Sequence, residues 1–127
     1  MTWLLAAFVA APPPVEPATD DIGAIGRAIG SGDVATLLTH VDGELELSIL
    51  DEEDVYAKAV ATTRLETFFK KFSPTGFNQV HQGSSKADDA EYVIGNLTTA
   101  RGSFRVYIYV AKKAGRVVLQ ELRFDRE

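Results

Sequence analysis

The chain has 127 residues, enough for one hydrophobic core and too few for two, and 46% apolar with 24% charged residues is a composition too apolar for disorder. Thirteen basic and 18 acidic side chains leave a net charge of −5, which disfavours non-specific attraction to nucleic acid or anionic lipid. The absence of cysteine excludes disulfides, thiolate nucleophiles, cysteine-ligated metals and lipid attachment through cysteine.

Trp3 to Ala11 is an apolar run followed by Pro12, Pro13 and Pro14. It is too short to cross a bilayer and resembles the central region of a signal peptide, although nothing before Glu16 is charged and Pro12 fits poorly after a cleavage site at Val9-Ala10-Ala11. The expectation is an exported bacterial protein, periplasmic or extracellular, whose mature chain has no stable membrane insertion. Residues 1–18 form the signal-like, proline-rich leader and residues 19–127 a single domain.

Asp20 and Asp21 are expected to cap a helix carrying Ile22, Ile25 and Ile29, stopped by Gly30-Ser31-Gly32. Asp33 caps a second, with Val34, Leu37, Leu38 and Val41 on its apolar face and a turn at Asp42-Gly43. Glu44 to Leu50 alternates strictly, with Leu45, Leu47 and Ile49 on one face and Glu44, Glu46 and Ser48 on the other, as a half-buried strand requires. Asp51 to Asp54 reads as an acidic turn before a brief strand at Val55-Tyr56. A long helix follows from Ala59 to Phe72, with Leu65, Phe68, Phe69 and Phe72 in one stripe. Ser73-Pro74-Thr75-Gly76 ends it. From Phe77 the period changes to two, giving four strands, about 77–83, 91–99, 104–112 and 116–126, joined by short turns into an antiparallel meander.

This order implies an α+β fold in which the long helix lies across a sheet, and a sheet curled around that helix leaves a cavity at its open end. Gly32 through Leu47, Val55-Tyr56-Ala57-Lys58-Ala59, Phe68-Phe69, His81 to Lys86, Tyr92-Val93-Ile94-Gly95 and Phe104-Arg105-Val106-Tyr107 together resemble a family of short exported Bacteroidetes proteins, domain-of-unknown-function family 4783. The resemblance spans about residues 20–125. It implies a cone similar to nuclear transport factor 2, with three helices from the N-terminal part packed on a curved, mainly antiparallel sheet, and it implies export. It carries no activity. The wider superfamily includes ketosteroid-isomerase-like and scytalone-dehydratase-like enzymes as well as non-catalytic binding and dimerisation domains, so architecture does not decide function.

His81 stands among Asn78, Gln79, Gln82 and Ser84, and histidine is the side chain best suited to proton transfer near neutral pH, but no orienting carboxylate is close in sequence. A structural or pocket-lining hydrogen bond is the plainer role. His40, at the end of the second helix, is structural. The Asp51 to Asp54 cluster lacks the spacing and central glycine of a calcium loop, and two histidines 41 positions apart without cysteine do not make a transition-metal site. Lys70-Lys71 and Lys112-Lys113 are solvated rims. Phe104, Val106, Ile108 and Val110 form the core face of one strand, while Arg105, Tyr107 and Tyr109 form an amphipathic face of the kind enriched in interfaces.

The pocket or interface candidates are therefore Tyr56, Phe69, His81, Tyr92, Arg105, Tyr107 and Tyr109, with no catalytic set, metal or cofactor assigned. The leading expectation is a non-catalytic domain that binds a small apolar or amphipathic ligand in the cone, self-associates as a homodimer through its sheet, or both. The alternatives are a small lyase or isomerase using Tyr56, His81 or Tyr107, and a structural interaction domain whose cone is packed shut.

Overall fold

A computed structural model describes residues 17–127 apart from 88; the proposed leader lies almost wholly outside the described residues. The elements are α1 (Pro17–Ser31), α2 (Val34–Thr39), β1 (Glu44–Ile49), β2 (Glu52–Ala57), α3 (Lys58–Lys71), β3 (Pro74–Ser85), β4 (Ala90–Thr99), β5 (Gly102–Lys113) and β6 (Arg116–Arg126). No helix among the described residues is long and apolar enough to cross a membrane.

Two of the boundaries that differ from expectation change a reading. Helix α1 opens at Pro17, a residue whose missing N–H is tolerated in a first turn, so Asp20 and Asp21 lie inside the helix and do not cap it. Asp51 to Asp54 is not a turn either. Only Leu50 and Asp51 connect the strands, Ile49 pairs with Glu52, and the acidic residues that follow form β2 at the sheet edge, where charged side chains meet water. The expected cap at Asp33 forms: one carboxylate oxygen accepts from the Thr36 backbone N–H at 3.2 Å and the other from the Thr36 hydroxyl at 2.7 Å.

The six strands run in the order β2-β1-β6-β5-β4-β3. All neighbours are antiparallel except β1 and β6, which are parallel, so the four-strand meander is extended by the first hairpin. Extra residues at Val80 in β3 and Gln120 in β6 interrupt the ladders, and such bulges bend a sheet. Two glycines permit close aromatic cover on opposite faces. A Cβ on Gly95 would stand 2.6 Å from Cε1 of Phe77, and one on Gly83 would stand 2.5 Å from Cε1 of Tyr92, so each position requires hydrogen where a side chain would begin.

One core lies between the helices and one face of the sheet. Ile25, Ile29, Leu37, Leu65, Leu45, Leu47, Phe104, Leu119, Leu122 and Phe124 are almost fully buried there. Helix α3 contributes its stripe as expected, Ala61, Leu65, Phe68 and Phe69, continued by Phe72. The Phe68 ring lies 4.6 Å from Phe124, 5.2 Å from Phe104 and 5.2 Å from Phe72, centroid to centroid, so phenyl rings fill the space between α3 and the sheet.

Candidate functional site: the helix-free face of the sheet

Strand β5 alternates as its sequence demands, with Phe104, Val106, Ile108 and Val110 buried against the helices and Arg105, Tyr107 and Tyr109 half-buried on the other side. Register then sets the neighbours of those outward residues. Tyr109 stands opposite Tyr92 on β4 and Glu121 on β6, and Glu121 stands beside Glu46 on β1. One row along, Tyr107 stands between Ile94 and Arg123, with His81 beyond Ile94 and Ser48 beyond Arg123. Arg105 completes a third row with Asn96 and Asp125.

The result is a shallow depression of about 500 Å³ lined by Tyr92, Ile94, Tyr107, Tyr109, Glu121, Arg123 and Asp125 among others. The Tyr92 hydroxyl lies 3.3 Å from His81 Nε2, and the two rings are 5.7 Å apart, so His81 holds a hydrogen bond at the rim with no carboxylate among the described residues to orient it. Arg123 donates from Nε to Asp125 at 3.2 Å and stands 6.0 Å over the Tyr107 ring. Arg105 donates to Asn96 at 3.3 Å and to Glu127 at 2.9 Å. The hydroxyls of Tyr107 and Tyr109 have no hydrogen-bond partner among the described residues. Partial burial raises the pKa of Glu121 above its ordinary 4.5, the charge of Glu46 raises it further, Arg123 opposes, and Glu53 adds to the rise.

Of the seven residues singled out from the sequence, five meet on this face: His81, Tyr92, Arg105, Tyr107 and Tyr109. The other two lie on the helix side. Phe69 is core, in edge contact with Phe68 at 5.4 Å and Phe124 at 5.9 Å. Tyr56 packs on the core margin beneath Arg64, whose guanidinium is 5.1 Å over its ring and pairs with Glu52 at 2.9 Å. Tyr56 and His81 therefore do not converge on one centre. Glu121 and Arg123 were missed, because the Gln120 bulge reverses which residues of β6 point outward: Val117 and Leu119 face the core, whereas Glu121 and Arg123 do not.

A groove of about 620 Å³ lies on the helix side, between α3 and the β1–β2 tip, lined by Ile49, Leu50, Thr67, Phe68, Lys71 and Phe72 among others. His40 ends α2, its Nδ1 3.1 Å from the Thr36 carbonyl and its Nε2 3.9 Å from Asp21. No group of three or more metal-ligating side chains is suitably placed among the described residues.

Helices on one face of a curved mixed sheet, a cone interior packed with phenyl rings and an open amphipathic face opposite define a nuclear-transport-factor-2-like domain. Comparison with solved structures agrees: a protein from Nostoc punctiforme with a cystatin-like fold aligns at a TM-score of 0.66 and 13% identity, over 87% of this chain and 89% of its own. An NTF2-like protein of unknown function from Cytophaga hutchinsonii aligns at 0.59 and 8%, over 84% and 88%. The model of the family Domain of unknown function (DUF4783) matches residues 22–125, and the chain belongs to that family. A DUF4783 protein from Bacteroides ovatus is similar at 28% identity and a TM-score of 0.76, covering 82% of this chain and 93% of that one. No curated protein matches the chain.

Proposed function

We propose that this is a non-catalytic interaction domain of the bacterial cell envelope whose working surface is the helix-free face of its sheet. The observation that carries the reading is the set of three half-buried tyrosines and Ile94 on a sheet face that no helix among the described residues covers. Tyrosine and arginine dominate the energetics of interfaces, since they bring large contact area with a polar handle. The Phe68 to Phe124 ring cluster supports the same reading from the other side, because it leaves little interior space for a ligand in the cone. Export belongs to the proposal and rests on the apolar run from Trp3 to Ala11.

The test is photo-crosslinking in the producing cell with a benzophenone amino acid at position 109, compared with position 60 on α3, where Val60 is exposed. A discrete crosslinked species from position 109 and none from position 60 is the expected result, and a second copy of the chain is one form it can take. Equal or absent crosslinking at both positions would count against the reading.

The groove beside Phe68 and Phe72 favours a second reading, a small apolar or amphipathic ligand held at the margin of the cone with Leu50 as its outer wall. Leu50 is 37% exposed and has a φ of 58°, a backbone region that favours glycine, so an apolar side chain is kept at a position where it is both strained and wet.

A further inference from the structure

We propose that the helix-free face docks a basic segment of a partner protein, an arginine or lysine side chain lying between the Tyr109 ring and the carboxylates of Glu121, Glu46 and Glu53. This inference rests on the preceding reading of the same face and names its partner by charge.

Two adjacent rows of the face differ in one respect. In the first, the Tyr107 ring is met by the Arg123 guanidinium at 6.0 Å, and that cation is closed by Asp125 at 3.2 Å. Ring, cation and carboxylate are all supplied by the chain. In the second, Tyr109 stands beside Tyr92 on one side and Glu121 on the other, with Glu46 next along and Glu53 nearby on β2. Ring and carboxylates are present, but none of Glu46, Glu53 and Glu121 makes an ion pair with a described residue. Arg123 in the adjacent row acts on Glu121 and Glu53 without an ion pair, so a directly paired cation is the member that the described residues do not supply.

The charge on this side of the sheet has the matching sign. Glu46, Glu53, Glu121 and Asp125 outnumber Arg105 and Arg123, which are already paired with Glu127 and Asp125, and Lys113 lines only the neighbouring depression beyond Glu46. Two such faces brought together as a symmetric dimer would place carboxylates near carboxylates, whereas a guanidinium over tyrosine and against glutamate gains both cation–π attraction and charge-assisted hydrogen bonds. The Glu121 pKa is displaced upward first by partial burial and then by the charge of Glu46, and an incoming cation would offset both. Val55, 52% exposed at the edge beside Glu46, offers apolar contact to the residues flanking the cation.

The test uses the intact chain and synthetic octa-arginine, followed by amide chemical-shift mapping, with octa-glutamate as the control peptide. The expected result is that octa-arginine shifts Tyr92, Tyr109, Glu121 and Glu46, and that the Glu46→Gln/Glu121→Gln double variant weakens its binding at least tenfold. Tyr109→Ser should weaken it several-fold, and Glu66→Gln, which removes a charge from α3, should leave it within twofold. Equal weakening by Glu66→Gln, or shifts spread over the surface, would mean attraction to net charge alone and overturn the proposal. A chain that instead dimerises through this face and excludes the peptide would overturn the basic partner and leave the face as an interface. If neither peptide nor second copy touches the face and an apolar probe binds beside Phe68 and Phe72, both readings fall.

Discussion

Gly95→Ala should be among the most damaging conservative changes outside the phenyl cluster, and its cost should depend on Phe77. The added Cβ would stand 2.6 Å from Phe77 Cε1 and 2.7 Å from the Asn78 carbonyl oxygen, where carbon atoms rest at about 3.5–4.0 Å. The ring would have to retreat by about 1 Å. It has little room, because it lies against α1 at Gly26 and Gly30, where even a methyl group would come within 3.2 Å and 3.1 Å of Phe77. Overpacking of this kind costs about 1–3 kcal/mol, and a ring held on both sides places the change at about 2–3 kcal/mol. Phe77→Ala alone removes a partly buried ring and should cost about 2–3 kcal/mol. In the double variant the ring clash is gone but the 2.7 Å approach to the Asn78 carbonyl oxygen remains, so Gly95→Ala should still cost about 1 kcal/mol, a coupling of about 1–2 kcal/mol. Urea unfolding of the four proteins at 25 °C, followed by circular dichroism, measures the cycle. A Gly95→Ala variant within about 0.5 kcal/mol of the parent, or additivity to the same tolerance, would refute the packing argument.

Phe68→Ala removes a ring in contact with four others and should destabilise by about 3–5 kcal/mol, while Phe68→Leu should lose far less; equal losses in chemical denaturation would contradict the filled interior. Because Glu121 has a raised folded-state pKa, the folded protein holds more protons than the unfolded chain just above pH 4.5, and that contribution to stability is lost as pH rises through the folded value. Glu121→Gln should therefore gain on the parent between pH 4 and pH 7 in denaturant melts, and a difference that stays constant or shrinks would contradict the raised folded-state value. Asp33 behaves oppositely: the Thr36 hydroxyl and then the Thr36 N–H lower its pKa below 3.8, so its contribution is present above that value and lost as pH falls through the folded value. Asp33→Ala should lower Tm at pH 7 and matter much less at pH 2, and a pH-independent loss would mean that the cap is not the cause.

Most of the architecture was legible where one periodicity dominated. Leu65, Phe68, Phe69 and Phe72 announce α3, and the alternation of β5 fixes which of its side chains face the core. The errors fall where two readings compete. Four consecutive acidic residues from Asp51 look like a turn, yet an edge strand tolerates them because it meets water, and Ile49 opposite Glu52 closes the hairpin in two residues. Pro17 looks like part of the leader, yet it opens α1. The face itself was legible through Tyr107 and Tyr109, whereas its charged end was not, because the bulge at Gln120 reverses parity and turns Glu121 and Arg123 outward. The bulge at Val80 does the same in β3, so that Phe77 faces the core and His81 the open face. A bulge is a shift of one residue with no composition of its own, which is why alternation alone does not reveal it.

Native mass spectrometry of the protein purified from the cells that produce it, beside a Tyr107→Ser/Tyr109→Ser variant prepared in the same way, tests the working face most directly. The expected spectrum shows a chain shortened by its leader and a protein partner retained by the parent and lost by the variant. A small molecule retained equally by both, with no protein species depending on the tyrosines, would contradict the assignment and move the function to the groove beside Phe68 and Phe72.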